Sequence, residues 1–151
     1  MDTAAWGIAA AIVAALAGVL VAVVSIIQIT LARRGATLAA IQPFYVHYHS
    51  GELRRIRGEL YSGRLDLGAL QDVDKKALEE LINSLEFLGA LVNNQLVSFK
   101  VVRSIFHSSI PDLWPYVRPY VLARRAQGVN PRPLYARNYE LLAARYGLRL
   151  S

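Results

Sequence analysis

The sequence predicts an all-α protein with one N-terminal transmembrane helix, followed by a small cytoplasmic bundle of four or five helices. Three observations predict this class. Hydrophobic residues make up 54% of the 151 residues, above the usual share for a soluble domain, and no charged residue occurs from residue 3 to residue 32. Beyond that run, apolar residues recur at helical spacing between prolines and glycines. No segment sustains the alternation of a strand.

The charge-free run is long enough to form a membrane anchor, since about 20 apolar residues cross a hydrocarbon core of roughly 30 Å. Strongly apolar residues within residues 8–27 together contribute about −3 to −7 kcal/mol to insertion. A cleaved signal peptide is disfavoured because Asp2 stands where a basic residue is usual and the run is too long. Residues 1–32 are therefore predicted to be a transmembrane anchor that stays attached.

The flanking charges predict the orientation of this anchor. Asp2 lies on one side, whereas Arg33 and Arg34 lie on the other. Because basic residues stay on the cytoplasmic side, the N-terminus is expected outside and residues 33–151 in the cytoplasm, at a bacterial inner membrane. Trp6 falls where an interfacial aromatic residue is expected.

One face of the anchor carries small residues at intervals of four: Ala10, Ala14, Gly18 and Ala22. Small side chains let two membrane helices approach closely, which favours self-association in lipid. An alanine-rich anchor also contains this spacing by chance. Both interpretations stay open, and these four residues are the predicted helix-packing face.

Residues 33–71 are predicted to form juxtamembrane and connector helices. Pro43 is expected to kink or end a helix that starts near Ala36, because proline lacks an N–H and crowds the preceding turn. The aromatic segment at residues 36–49 lies either on the lipid headgroups or against the domain, and the sequence does not choose between them. Residues 52–61 are predicted as a short basic helix that Gly63 terminates.

Residues 72–151 are predicted to form the helical cytoplasmic domain. Its central helix spans residues 74–92, with Asp72 or Asp74 as the N-cap. Further helices are predicted at residues 99–109 with Ser98 as the cap, at 115–126 and at 134–146. The central helix has one apolar face, which Phe87 and Leu91 widen: Leu78, Leu81, Ile82, Leu85, Leu88 and Val92.

The order of features in the C-terminal half points to a family. The central helix carries Asn83-Ser84-Leu85-Glu86-Phe87, and it is followed by Trp114, Pro119 and Arg124 and then by Tyr135, Tyr139 and Glu140. Together with the N-terminal membrane helix, this order resembles the bacterial family called domain of unknown function 4760. The resemblance implies a small, membrane-anchored helical protein with no assigned activity, and it carries over no catalytic residue.

The residue types present argue against several kinds of chemistry. The chain has no Cys, which excludes thiolate catalysis, disulfides and Cys-ligated metals. His47 and His49 are two residues apart and would point away from each other on a helix. We expect no catalytic residue, no metal and no cofactor. Glu86 is expected to be structural, paired with Arg103 or Arg124.

The chain is basic, with a formal net charge of +6, which favours an anionic partner. Seven arginines are predicted to contact an anionic membrane surface: Arg33, Arg34, Arg54, Arg55, Arg57, Arg124 and Arg125. Nucleic acid stacked on Tyr116, Tyr120 or Tyr135 is a less favoured partner, because the basic charge is spread over several helices. A basic surface without a specific partner is the third interpretation.

The leading functional hypothesis is a membrane-tethered, non-catalytic interaction or regulatory protein. Its expected partners are the lipid bilayer, an unknown protein and a second copy of the chain. The first alternative is a membrane-acting effector, of phage-defence or toxin type, that oligomerises through its transmembrane helix. The second is a membrane-tethered module that binds nucleic acid.

Overall fold

The computed structural model describes residues 3–127 and 133–147, without the side chains of residues 3–14, 33 and 34. These residues form helices and turns and contain no strand, which confirms the predicted all-α class. The helices, in chain order, are α1 (Thr3–Tyr48), α2 (Gly51–Tyr61), α3 (Asp72–Asn93), α4 (Phe99–Phe106), α5 (Ser109–Ala126) and α6 (Arg137–Arg145).

The chain divides into two compact units, Met1–Leu38 and Ala39–Ser151. Among the described residues, one helix is long and apolar enough to cross a membrane, by length and composition. This stretch of α1, Ala15–Tyr48, reaches a mean hydropathy of 2.4. The predicted layout of one such N-terminal helix followed by a helical domain is therefore confirmed.

The first unit exposes its large apolar side chains, and two of its hydroxyl groups bond to the backbone of their own helix. Its described large apolar side chains are all exposed. Ser25 Oγ donates a hydrogen bond to Val21 O, and Thr30 Oγ1 donates one to Ile26 O, both at 2.8 Å. Such internal partners are what a hydroxyl group needs where no water is present.

Pro43 lies inside α1, and the expectation that a helix ends there is wrong. The helix continues to Tyr48 because Ile41, Phe44 and Tyr48 are buried in the core of the second unit. Burial of such side chains contributes about 1.5–3 kcal/mol each, which offsets the hydrogen bond that proline cannot donate. The aromatic segment from residue 39 to residue 48 therefore packs against the domain.

The core of the second unit is centred on α3. This helix packs against α2 and α6, and α5 packs against the same two helices. All six residues of the predicted apolar face of α3 are buried, which confirms that face: Leu78, Leu81, Ile82, Leu85, Leu88 and Val92.

Several predicted helix boundaries and caps need correction. The N-cap of α3 is Gln71 rather than Asp72 or Asp74. Both carboxylates lie in the first turn, where their negative charge interacts favourably with the helix dipole and stabilises the helix. Ser98 is the N-cap of α4, but its side chain makes no capping hydrogen bond. The helix ends at Phe106, three residues early, because His107 has a φ of 45°.

The last two helices also differ from the prediction. α5 starts at Ser109, six residues early, because Pro111 fits its first turn. Pro115 and Pro119 follow at intervals of four inside α5 and are exposed. α6 starts at Arg137, three residues late, after a turn that ends with Ala136 at a φ of 55°.

Candidate functional site

A groove of about 770 Å³ lies between the last turns of α1 and one face of α3. All of its lining residues belong to the second unit. α1 contributes Ala39, Ala40, Pro43, Phe44 and His47, and α3 contributes Lys76, Glu79, Glu80, Asn83, Ser84 and Phe87.

The groove follows from the size and spacing of these side chains. Ala39, Ala40 and Pro43 are small, so α1 leaves space beside α3. Phe44 also lines this space and is itself buried. Phe87, predicted to widen the apolar core face of α3, is instead 57% exposed. A large aromatic side chain therefore stands at the groove with little covering it.

Three charged or polar residues of the groove, His47, Glu79 and Glu80, have partners within the domain. His47 Nε2 lies 3.2 Å from Glu80 Oε1. Glu79 Oε1 accepts a hydrogen bond from Tyr120 Oη at 2.8 Å. The same oxygen forms an ion pair with Arg124 Nη2, also at 2.8 Å. Burial, followed by this hydrogen bond, raises the pKa of Tyr120 well above its usual value. Glu79 Oε1 therefore has two partners on α5.

Glu86 is structural, but the predicted pairing with Arg103 or Arg124 is wrong. Its Oε1 accepts a hydrogen bond from Asn138 Nδ2, and its Oε2 accepts one from the Tyr139 backbone N–H, both at 2.8 Å. These donors lie in the first turn of α6, where N–H groups lack helical partners and the helix dipole favours an anion. Glu86 therefore fastens the start of α6 to α3.

The three histidines lie apart in the structure. His47 pairs with Glu80, His107 is exposed after α4, and the His49 ring lies 4.4 Å from the Tyr45 ring. Burial and, to a lesser extent, Arg57 and Arg54 lower the pKa of His49. In the described part of the chain, no three His, Cys, Asp or Glu residues are grouped so as to hold a metal ion.

Three of the predicted membrane-contact arginines form ion pairs within the domain. Arg55 lies 2.8 Å from both Glu59 and Asp74, and Arg124 pairs with Glu79. Arg125 pairs with Glu140 at 3.2 Å, and its Nε donates a hydrogen bond to Tyr135 O. These guanidinium groups hold helices together, which leaves less of their charge for an external anion.

Arg54 and Arg57 have different surroundings. Arg54 Nη2 donates a hydrogen bond to His49 O at 3.3 Å. The Arg57 guanidinium lies 3.7 Å from the centre of the Tyr48 ring, and its Nε donates to Leu53 O. Within the described residues, neither forms an ion pair with a carboxylate. The side chains of Arg33 and Arg34 lie outside the described part.

The predicted helix-packing face is described only in part, since the side chains of Ala10 and Ala14 lie outside the described residues. The side chain of Trp6, the predicted interfacial aromatic residue, also lies outside them. Gly18 and Ala22 are exposed, and nothing lies within 4 Å of the position that a Cβ would take at Gly18. A second helix would find space there.

The tyrosines considered for base stacking are partly occupied. Tyr120 is buried and bonded to Glu79, and Tyr135 is half-buried beside the core. Tyr116 is exposed, but its ring packs edge-on against Tyr61 at 5.4 Å.

The groove and the exposure of Phe87 were not predicted from the sequence. The one sequence feature that pointed to them is an aromatic residue directly after Glu86, at the side of the apolar face of α3. Periodicity alone does not distinguish a flank that packs against a neighbour from one that stays open.

Comparison with known proteins places this architecture in a family. No curated protein and no solved structure matches the chain. The family described as Domain of unknown function (DUF4760) matches residues 12–146, which include α2 to α6 and most of α1. The chain therefore belongs to the DUF4760 family.

Proposed function

We propose that the chain is a membrane-tethered, non-catalytic interaction protein. Residues 1–32 anchor it in a bacterial inner membrane with the N-terminus outside, and the helical domain faces the cytoplasm. The groove between α1 and α3 binds an amphipathic helix of a partner protein. The open groove with its exposed Phe87 carries this proposal.

The dimensions of the groove suit a helix as ligand. It follows α3 over the twelve residues from Lys76 to Phe87, a rise of roughly 16 Å or three turns. An amphipathic helix of that length presents apolar residues at intervals of three and four along one stripe. Phe44 and Phe87 offer apolar contact along the groove, while Glu80 and Lys76 offer polar contact at its edges.

The state of the carboxylates supports binding rather than catalysis. Glu79 Oε1 is held by Tyr120 and Arg124, and both carboxylate oxygens of Glu86 are held by the first turn of α6. An acid–base catalyst needs a proton-accepting atom that is free to reach a substrate. Such side chains are better suited to holding a groove in shape.

Site-specific photo-crosslinking in cells tests the groove. A benzoylphenylalanine at position 87 is expected to form an adduct with one protein, whereas the same group at Leu96, exposed in the turn after α3, is not. Glu80→Arg, at the groove edge, is expected to reduce the adduct at least tenfold. Equal adducts from both positions, or an adduct that Glu80→Arg leaves unchanged, would contradict the proposal.

A further inference from the structure

We infer that the surface formed by Tyr45, Val46, His49, Arg54 and Arg57 docks the domain onto the headgroups of anionic phospholipids. This surface is called the aromatic–arginine surface below. It lies at the end of α1 and along α2, within the second unit. The inference rests on the proposed function only for the membrane tether and is independent of the groove.

His49 contacts two other members of this surface, Tyr45 and Arg54. The ring centres of Tyr45 and His49 lie 4.4 Å apart, and Arg54 Nη2 donates to the His49 carbonyl. Tyr45 is 45% exposed and Val46 is 65% exposed. One hydrophobic side chain, one amphipathic ring and two cations thus share one continuous patch.

The patch is held firmly from below. The Tyr45 ring lies 6.0 Å from the ring of Phe106, and Tyr48, over which Arg57 lies, is buried. The Phe44 and Tyr48 rings stack at 5.5 Å. Because the underlying rings are packed, binding a flat anionic surface requires little ordering of side chains.

The arginines of this patch form no ion pair with a described carboxylate, which distinguishes them from Arg55, Arg124, Arg125 and Arg137. Arg55, next to Arg54 in the chain, pairs with Glu59 and Asp74, whereas Arg54 and Arg57 have no such carboxylate among the described residues. Burial lowers the pKa of His49, and Arg57 and Arg54 lower it further. Both arginines therefore make the potential at the His49 ring more positive.

A bilayer suits this combination better than a soluble anion does. Tyrosine favours the interface between water and hydrocarbon, and arginine places its stem along apolar groups while its guanidinium reaches phosphate. A bilayer also offers an apolar layer beneath the headgroups, into which the exposed Val46 side chain can insert. Tyr45 is thirteen residues beyond Ala32, so even an extended chain keeps it within about 47 Å of the end of the anchor, at high effective concentration.

Spin labelling of the full chain tests this inference, and the absence of native Cys makes every introduced label unique. A nitroxide at Val46→Cys is measured in nanodiscs of phosphatidylcholine alone and with one quarter phosphatidylglycerol. We expect the label to lose access to an aqueous relaxation agent only when phosphatidylglycerol is present. A label at Asn94→Cys, exposed at the end of α3, is expected to stay accessible in both.

Charge variants identify the residues responsible. Each cation near the surface changes the ratio of docked to free domain by roughly fivefold, so Arg54→Gln with Arg57→Gln is expected to lower it by about 25-fold. Arg55→Gln removes the same charge from a neighbouring, paired position and is expected to change the ratio less than twofold. An Arg55→Gln effect as large as that of Arg54→Gln would overturn the assignment to this surface.

A third label separates failure of docking from failure of the tether. A nitroxide at Val21→Cys, in the middle of the apolar run, is expected deep in the hydrocarbon of both lipid mixtures. If Val21 is deep but Val46 shows the same access in both mixtures, the docking inference is wrong and the tether stands. If Val21 is accessible to water, the proposed membrane tether itself is wrong.

Discussion

Gly89 is a position at which the backbones of α3 and α6 approach closely. Gly89 is buried in α3, and a Cβ placed on it would lie 2.9 Å from Tyr139 N and closer still to the Asn138 carbonyl. Both obstacles are backbone atoms, which cannot rotate aside as a side chain can. Gly89→Ala therefore requires α6 to move away from α3.

The cost follows from the contacts at the same place. A shift of about 1 Å would restore ordinary contact but would stretch the 2.8 Å bonds from Asn138 and Tyr139 to Glu86. Loss of one charged hydrogen bond costs about 1.5–3 kcal/mol, and overpacking costs about 1–3 kcal/mol. The better helix propensity of alanine returns about 1 kcal/mol. The net loss of stability is about 2–5 kcal/mol.

Gly58→Ala is the matched control, because this helical glycine of α2 has nothing within 4 Å of its Cβ position. Alanine there is expected to stabilise the domain by about 0.5–1 kcal/mol. Urea unfolding of the full chain in detergent, followed by the fluorescence of buried Trp114, measures both. A Gly89→Ala protein as stable as the wild type would refute the proposed close packing of α3 and α6.

The remaining predictions concern four single substitutions. Tyr48→Phe removes a buried hydroxyl without a hydrogen-bond partner among the described residues and is expected to be neutral or stabilising by up to about 1 kcal/mol in urea unfolding. Tyr139→Phe, which leaves a buried carbonyl of α5 without its 2.9 Å donor, should cost about 1–2 kcal/mol; equal effects would contradict this. Burial raises the pKa of Glu140, but hydrogen bonds from Arg137 and Arg125 outweigh burial and lower the pKa below 4.5. The stabilisation that Glu140 provides is therefore present above about pH 4.5 and is lost as the pH falls further. Glu140→Gln should reduce the dependence of the urea unfolding midpoint on pH below about pH 4.5. The same pH dependence in the variant and the wild type would contradict the lowered pKa of Glu140. Gly18→Ile should abolish any collapse of membrane potential on overexpression if the effector alternative is correct, whereas an interaction protein leaves the potential intact with or without this change.

The parts of the fold that depend on regular spacing could be predicted from the sequence. Leu78, Leu81, Leu85, Leu88 and Val92 recur at helical intervals, and a helix with this pattern has one stable way to bury them. The apolar composition of α1 is equally local, since every residue contributes to it independently. Such features do not require knowledge of what lies opposite.

The parts that depend on distant neighbours could not be predicted. Pro43 normally ends a helix, but the burial of Phe44 and Tyr48 on the domain outweighs that tendency. Glu86 binds the first turn of α6, more than fifty residues away, because the closeness permitted by Gly89 brings that turn within reach. Arg55 and Arg54 are adjacent and chemically identical, yet only the fold supplies Arg55 with two carboxylates.

The most direct test of the account is alkaline carbonate extraction of membranes from cells that express the full chain. The account predicts that the intact polypeptide stays in the membrane pellet, because residues 1–32 cross the hydrocarbon core. Variants with Val19→Arg and Val23→Arg, which place two charges in that run, should move to the supernatant. Recovery of the intact wild-type chain in the supernatant would contradict the tether, and with it the proposed function and the inferred lipid docking.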